Sequence, residues 1–126
     1  MTKYIDGFVF VVPKNKVDDY KKMAEDGKNS WLKHGALEYF ECMGDDLEPK
    51  EMEGSKPLGF TELANAGENE TVWFSFIIFK SKEHRNEVNA KVMQEMGDKA
   101  EEYKDFQMPF DMSRMAYGGF KVEVEG

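Results

Sequence analysis

Apolar residues recur along this chain in two rhythms, one of strands and one of helices. YIDGFVFVVP (residues 4–13) and TVWFSFIIFK (71–80) are dense in β-branched and aromatic side chains, the composition of buried strands. Pro13 ends the first, since it has no N–H to give to a sheet ladder. ALEYFECM (36–43) and RMAYGGFKVEVE (114–125) read as two further strands. Between the first two strands, Val17, Tyr20, Ala24 and Trp31 fall near one face of a helix that Asn15 would cap, with Asp18 as its third helical residue. Lys33 and His34 suit the negative end of its dipole, and Gly35 is a natural left-handed stop. Ser81 would cap a second helix that carries His84, Val88, Val92 and Met96 four apart on one face, with Gly97 closing it. The acidic stretch GDDLEPKEMEGSKP is a loop, because its Gly, Pro and charges cannot form a core element. LGFTELANAGENE is read as an extended arm, Lys99 to Phe106 as a short helical piece, and MPFD as a turn.

The predicted order is β-α-β-β-α-β over a single domain, 1–126. That is the α+β, ferredoxin-like arrangement, in which an antiparallel four-stranded sheet carries both helices on one face. Such a sheet should alternate apolar and polar residues, with the polar ones facing water. Here it does not. Trp73, Ser75, Ile77 and Phe79 point one way while Phe74, Phe76 and Ile78 point the other, and Ile5, Val9 and Val11 likewise oppose Tyr4, Phe8, Phe10 and Val12. The economical cover for a second apolar face is a second copy of the chain, sheet against sheet, so a homodimer is expected.

Composition narrows the function classes. The 126 residues carry 25 acids and 17 bases, a formal charge of −8, which repels phosphate backbones and anionic lipid, so neither nucleic acid nor membrane is an expected partner. No apolar run approaches the roughly 18 residues of a membrane span, and the N-terminus does not read as a signal peptide. The expected location is the cytoplasm. A single cysteine, Cys42, rules out an internal disulfide and a thiolate metal cage, and beside Phe40 it is read as a buried, inert thiol. Only two histidines are present, so neither a metal nor a cofactor is assigned.

Several long blocks make the chain similar to a known family. YIDGFVFVVP, WLKHGALEYFECMGDD, ETVWFSFIIFKSKEHRNEVNAKVM and MPFDMSRMAYGGF, in that order, resemble the bacterial domain-of-unknown-function family 1428. The resemblance implies a dimeric α/β barrel, in which two ferredoxin-like subunits pack their sheets together, and it implies no activity. The wider superfamily includes haem-degrading and antibiotic-biosynthesis monooxygenases, isomerases, lactonases and non-catalytic stress proteins, and fold alone does not choose among them.

Each candidate for chemistry also has a plain structural role. His84 ends the apolar stripe of its helix near the sheet rim. It is an acid/base candidate, or else an interfacial residue bonded to a strand end. Arg85 is a candidate for binding a carboxylate, or else a surface ion-pair partner. Haem-degrading relatives use a polar group on the first strand, a tryptophan on the third and a histidine on the next helix. The nearest equivalents are Asp6, Trp73 and His84, although a carboxylate at Asp6 lacks the donor that chemistry requires, and Trp73 also suits a plain core position. Glu38 and Glu41, three apart in one strand, must point to opposite faces, so at least one of them fits a dry core poorly and is a candidate general base, or else the strand lies at a sheet edge and both acids are solvated. Arg114 and Tyr117, on the last strand, are candidate partners for such an acid. Gly118 and Gly119 signal a bulge or a close backbone approach. The leading expectation is a pocket for a small apolar or aromatic molecule between sheet and helices, in a protein whose status as an enzyme stays open. The alternatives are a cofactor-free monooxygenase or isomerase using His84 with a carboxylate, and a non-catalytic stress or assembly protein.

Overall fold

A computed structural model describes residues 2–126. Strand β1 (Tyr4–Pro13) leads through a 3-10 turn (Lys14–Lys16) into helix α1 (Val17–Lys33). There follow β2 (Glu38–Met43), the single helical turn α2 (Phe60–Leu63), β3 (Glu70–Phe79), helix α3 (Lys82–Asp98) and β4 (Ala116–Lys121). The strands form one antiparallel sheet in the order β2-β3-β1-β4. Setting α2 aside, this is the ferredoxin-like arrangement that the periodicity predicts.

Element ends differ from expectation where local hydrogen bonding decides them. Asn15 lies inside the 3-10 turn, and α1 begins one residue later than expected, with Lys16 at its N-cap and no side-chain cap. At the other end Gly35 adopts φ 116°, the left-handed stop that its sequence position predicts. Ser81 does cap α3, its Oγ accepting from the backbone N–H of His84 at 3.1 Å. Gly97, however, stays helical, and α3 runs on to Asp98. The expected extended arm contains α2. Strand β4 is shorter than predicted, with Arg114 in a 3-10 turn (Met112–Arg114) before it.

Register fixes which face each side chain occupies. Phe10 pairs with Trp73, Asp6 with Ile77, Glu41 with Ser75 and Tyr117 with Phe8, and all of these face the helices. The core on that side is divided in two. One cluster gathers Phe10, Val12, Tyr20, Ala24 and Trp73 under α1, and the other gathers Ala36, Ile77, Phe79, Val88 and Val92 under α3. Phe8 packs against both.

The opposite face is apolar and open. Phe40, Phe74 and Phe76 form an aromatic run across β2 and β3, with centroids 4.9 and 5.5 Å apart, and Phe40, Phe74 and Phe120 are each more than 40% exposed. Phe60 of α2 turns its ring edge to Phe74 and shelters one corner. Beside this ridge lies a hollow of about 580 Å³, floored by the cross-strand pair Gly7 and Gly118, which have no side chains to fill it. Cys42, expected to be buried, is exposed on this face, because β2 is an edge strand and nothing in the described chain covers it. Among the described residues no helix is long and apolar enough to cross a membrane.

Candidate functional site

The divided core leaves a cavity of about 1250 Å³ between sheet, α1, the second half of α3 and the segment 100–115. Its walls include Phe8, Phe10, Tyr20, Trp31, Met93 and Phe110. Small-molecule sites are mostly apolar clefts of about 300 to 1,000 Å³ with a few convergent polar groups, and this one is somewhat larger than that range.

The convergent polar group is Glu41. Residues Tyr39 and Glu41 alternate on β2 to the same face, Ser75 lies opposite Glu41 across the β2–β3 ladder, and Tyr20 comes from α1. The Tyr20 hydroxyl donates to Glu41 Oε1 at 2.8 Å, the Tyr39 hydroxyl donates to Oε2 at 2.6 Å, and the Ser75 hydroxyl makes a short bond to Oε1. Burial, reinforced by the Glu41 charge, pushes the Tyr20 and Tyr39 phenols well above their ordinary range, so both stay protonated and remain donors. No cation lies within ion-pairing distance of Glu41 among the described residues. Three neutral donors thus hold one negative charge at the wall of an apolar cavity.

Glu38, on the same strand, points to the open face and is exposed, while Glu41 faces the helices and is partly buried. The expected partners of Glu41 go elsewhere. Arg114 makes a two-pronged pair with Glu70, at 2.6 and 3.1 Å, and donates to the Asn65 carbonyl, which holds Glu70 below the usual carboxylate range. Tyr117 stacks on Phe8 with centroids 4.9 Å apart.

His84 does not line the cavity. Its Nδ1 accepts from the Lys80 backbone N–H at 3.0 Å, just beyond the end of β3, and its ring meets Phe79 edge-on. It is therefore the interfacial residue bonded to a strand end, and no carboxylate pairs with it. The set Asp6, Trp73 and His84 does not assemble either. Trp73 sits four residues along β3 from Ile77, the partner of Asp6, a separation of roughly 13 Å at strand rise. It packs with Phe10 and Tyr20 and donates to Thr71 Oγ1 at 2.9 Å. The residues present do not fit the haem-degrading arrangement.

Asp6 and Arg85 belong to a second polar cluster beneath α3. Asp6 is 1% exposed. Its Oδ1 lies 3.2 Å from Arg85 Nε, though too poorly aligned for a hydrogen bond, so that contact is one of charge. Asn89 donates to Asp6 Oδ2 at 3.1 Å and accepts from Trp31 Nε1 at 3.0 Å. The guanidinium of Arg85 also lies over the Tyr4 ring, 4.8 Å from its centroid, and donates to the Tyr4 hydroxyl. Burial pushes the Asp6 carboxyl above its ordinary value, against the opposing pull of Asn89 and Arg85.

Gly119 explains how the guanidinium fits. The strand register runs past it without a bulge, so the close approach is the correct half of the expectation. A Cβ there would lie 2.7 Å from Tyr4 Cε2 and 2.5 Å from its hydroxyl. Gly119→Ala is expected to displace Tyr4 and Arg85 and to cost about 1 to 3 kcal/mol of stability, as overpacking does. Urea unfolding followed by circular dichroism measures it, and an unchanged midpoint would show that the contact yields freely.

Sequence reasoning placed Glu41 but not the three hydroxyls around it. Their signal was present in Ser75, the one polar residue between Trp73 and Phe79, and in the Tyr-x-Glu alternation of β2.

The profile of the family described as "Protein of unknown function (DUF1428)" matches residues 3–112. The chain is also 40% identical over 123 residues, 98% of each chain, to the "Uncharacterized protein YbaA" of Escherichia coli K12, and to the same degree to its counterpart in Shigella flexneri.

Proposed function

The chain belongs to the DUF1428 family, whose description assigns no activity, and we propose that it is a cytoplasmic homodimer that binds a small, largely apolar molecule between its sheet and helices. The observation that carries the binding reading is the cavity of about 1250 Å³ that divides the core. Folded proteins pack their interiors to crystal density. A half-open cleft of this size, walled in large part by aromatic and methionine side chains, with the Glu41 carboxylate held at its wall and charged residues at its rim, is the form of a ligand site. Pairing of the open faces is supported by the exposed ridge of Phe40, Phe74 and Phe76, since contiguous apolar patches of this kind are rare on monomers.

A neutral fluorescent hydrophobe, N-phenyl-1-naphthylamine, tests the cavity. It is expected to bind saturably, one per chain, and to quench emission from Trp31 in the wall. Met96→Trp, placed on the half-exposed α3 flank of the cavity, is expected to weaken binding several-fold without lowering the melting temperature. Non-saturable binding, or binding indifferent to Met96→Trp, would count against the site.

A further inference from the structure

We infer that the cavity selects an organic ammonium ion, an apolar molecule bearing one protonated amine, which places its charge against Glu41. The inference rests on reading the cavity as a ligand site and adds the chemistry of its occupant.

Glu41 is the anchor. An ionised carboxylate has roughly four lone-pair positions, and three are taken by the hydroxyls of Tyr20, Tyr39 and Ser75. Room for one further donor remains, on a residue that lines the cavity. All three partners are neutral. Glu41 is partly buried, and drawing a carboxylate even partly out of water without a cation costs the fold some stability, which a positively charged ligand group would offset. Among the described residues the fold pairs no cation with Glu41. Of the lysines around the cavity, Lys33 and Lys99 are committed to Glu95, at 3.2 and 3.5 Å, while Lys16 and Lys22 are exposed on α1 and its approach. Those four lysines face Asp19, Asp26 and Glu95 in the same lining, so the outer charges largely cancel and Glu41 is the uncompensated charge within.

The surroundings favour the same class. Tyr20, Tyr39, Phe8 and Trp31 give the cavity aromatic walls, and aromatic rings attract cations through their quadrupoles. The protein's net charge of −8 draws cations from solution and repels anions. A metal ion is a poor occupant, because no group of three or more His, Cys, Asp or Glu side chains is gathered anywhere among the described residues. An anionic ligand would set its charge against Glu41.

Three ligands sharing one apolar body separate these possibilities: 4-phenylbutylamine, 4-phenylbutan-1-ol and 4-phenylbutanoate, titrated calorimetrically into the full-length protein. The amine is expected to bind roughly 10- to 100-fold more tightly than the alcohol, the range of a charge-assisted hydrogen bond, and the acid is expected to bind most weakly. Glu41→Gln should bring the amine to the level of the alcohol, because the charge that separates them is gone. Tyr39→Phe keeps the charge and removes one neutral donor, so the amine preference should survive there, and it does so independently of how well the glutamine variant folds. Equal binding of amine and alcohol by the wild type would overturn the ammonium assignment and leave the cavity as an apolar site, as would an amine preference that persists in Glu41→Gln. Failure of all three to bind would overturn the cavity reading along with it.

Discussion

Replacing Arg85 by leucine is expected to cost about 3 kcal/mol, near the low end of what removing one partner of a buried ion pair costs, because the guanidinium side chain is one-fifth exposed while Asp6 is almost fully enclosed. The substitution leaves the Asp6 carboxylate with Asn89 as its remaining polar partner. The loss should grow with pH. Burial already holds the folded-state pKa of Asp6 above its ordinary 3.8, and deleting Arg85 removes a pull in the opposite direction, so the variant's value rises further. Below pH 3.8 Asp6 is protonated in both folded and unfolded chains, and the variant's deficit is then smallest. As pH rises through the folded value, the unfolded chain ionises freely while the folded chain must charge an unpaired buried acid, and stability falls. Urea midpoints of wild type and Arg85→Leu should therefore diverge as the pH is raised from about 4 toward neutrality. Parallel curves across that range would mean that Asp6 does not depend on Arg85.

Phe74→Glu is expected to convert the protein from a dimer to a monomer. Phe74 lies on β3, an inner strand, at one end of the aromatic ridge, and is 46% exposed in the isolated chain, so the substituted side chain can reach water and the monomer should fold. In the proposed pair the ridge meets its own copy. An interface with two-fold symmetry repeats every substitution, so two carboxylates enter an apolar contact that offers them no partners. At even 2 kcal/mol for each poorly compensated buried charge, the dissociation constant rises about a thousandfold. Light scattering should give about twice 14.6 kDa for the wild type and 14.6 kDa for the variant. A wild type that scatters as a monomer sinks the proposed pairing, and a dimeric variant moves the contact to another face.

The fold was legible because it is written in long-range periodicity. Ten-residue strands with apolar residues on both faces, and a helix with Val88 and Val92 one turn apart, leave few arrangements open. Element ends were less legible, because single hydrogen bonds decide them: Ser81 has an N–H within reach and caps its helix, whereas Asn15 is absorbed into a 3-10 turn. The site was harder still. Glu41 drew notice as an acid in a strand, but its three donors come from α1, β2 and β3, and only the packed register brings Tyr20 and Ser75 to it. His84 drew more notice than it merited, since histidine's chemistry is conspicuous in a sequence while the Lys80 N–H that occupies its Nδ1 is not. Cys42 was misread for a related reason. An apolar neighbour such as Phe40 signals burial only when something lies on the strand's other side, and β2 is an edge.

The glycine-floored hollow beside the aromatic ridge bears on how far assembly can proceed. A face that carries only a protrusion, or only a recess, needs a different surface on its neighbour, and such head-to-tail contacts can propagate into filaments. Here the raised rings of Phe74 and Phe76 and the recess over Gly7 and Gly118 lie side by side on one sheet. Two copies related by a half-turn could each offer a knob to the other's hole and, in doing so, use up both. Such a face would be self-terminating: association would stop at two with no sticky surface left over, and a side chain added at Gly118 would test that closure by filling the recess while leaving the ridge free.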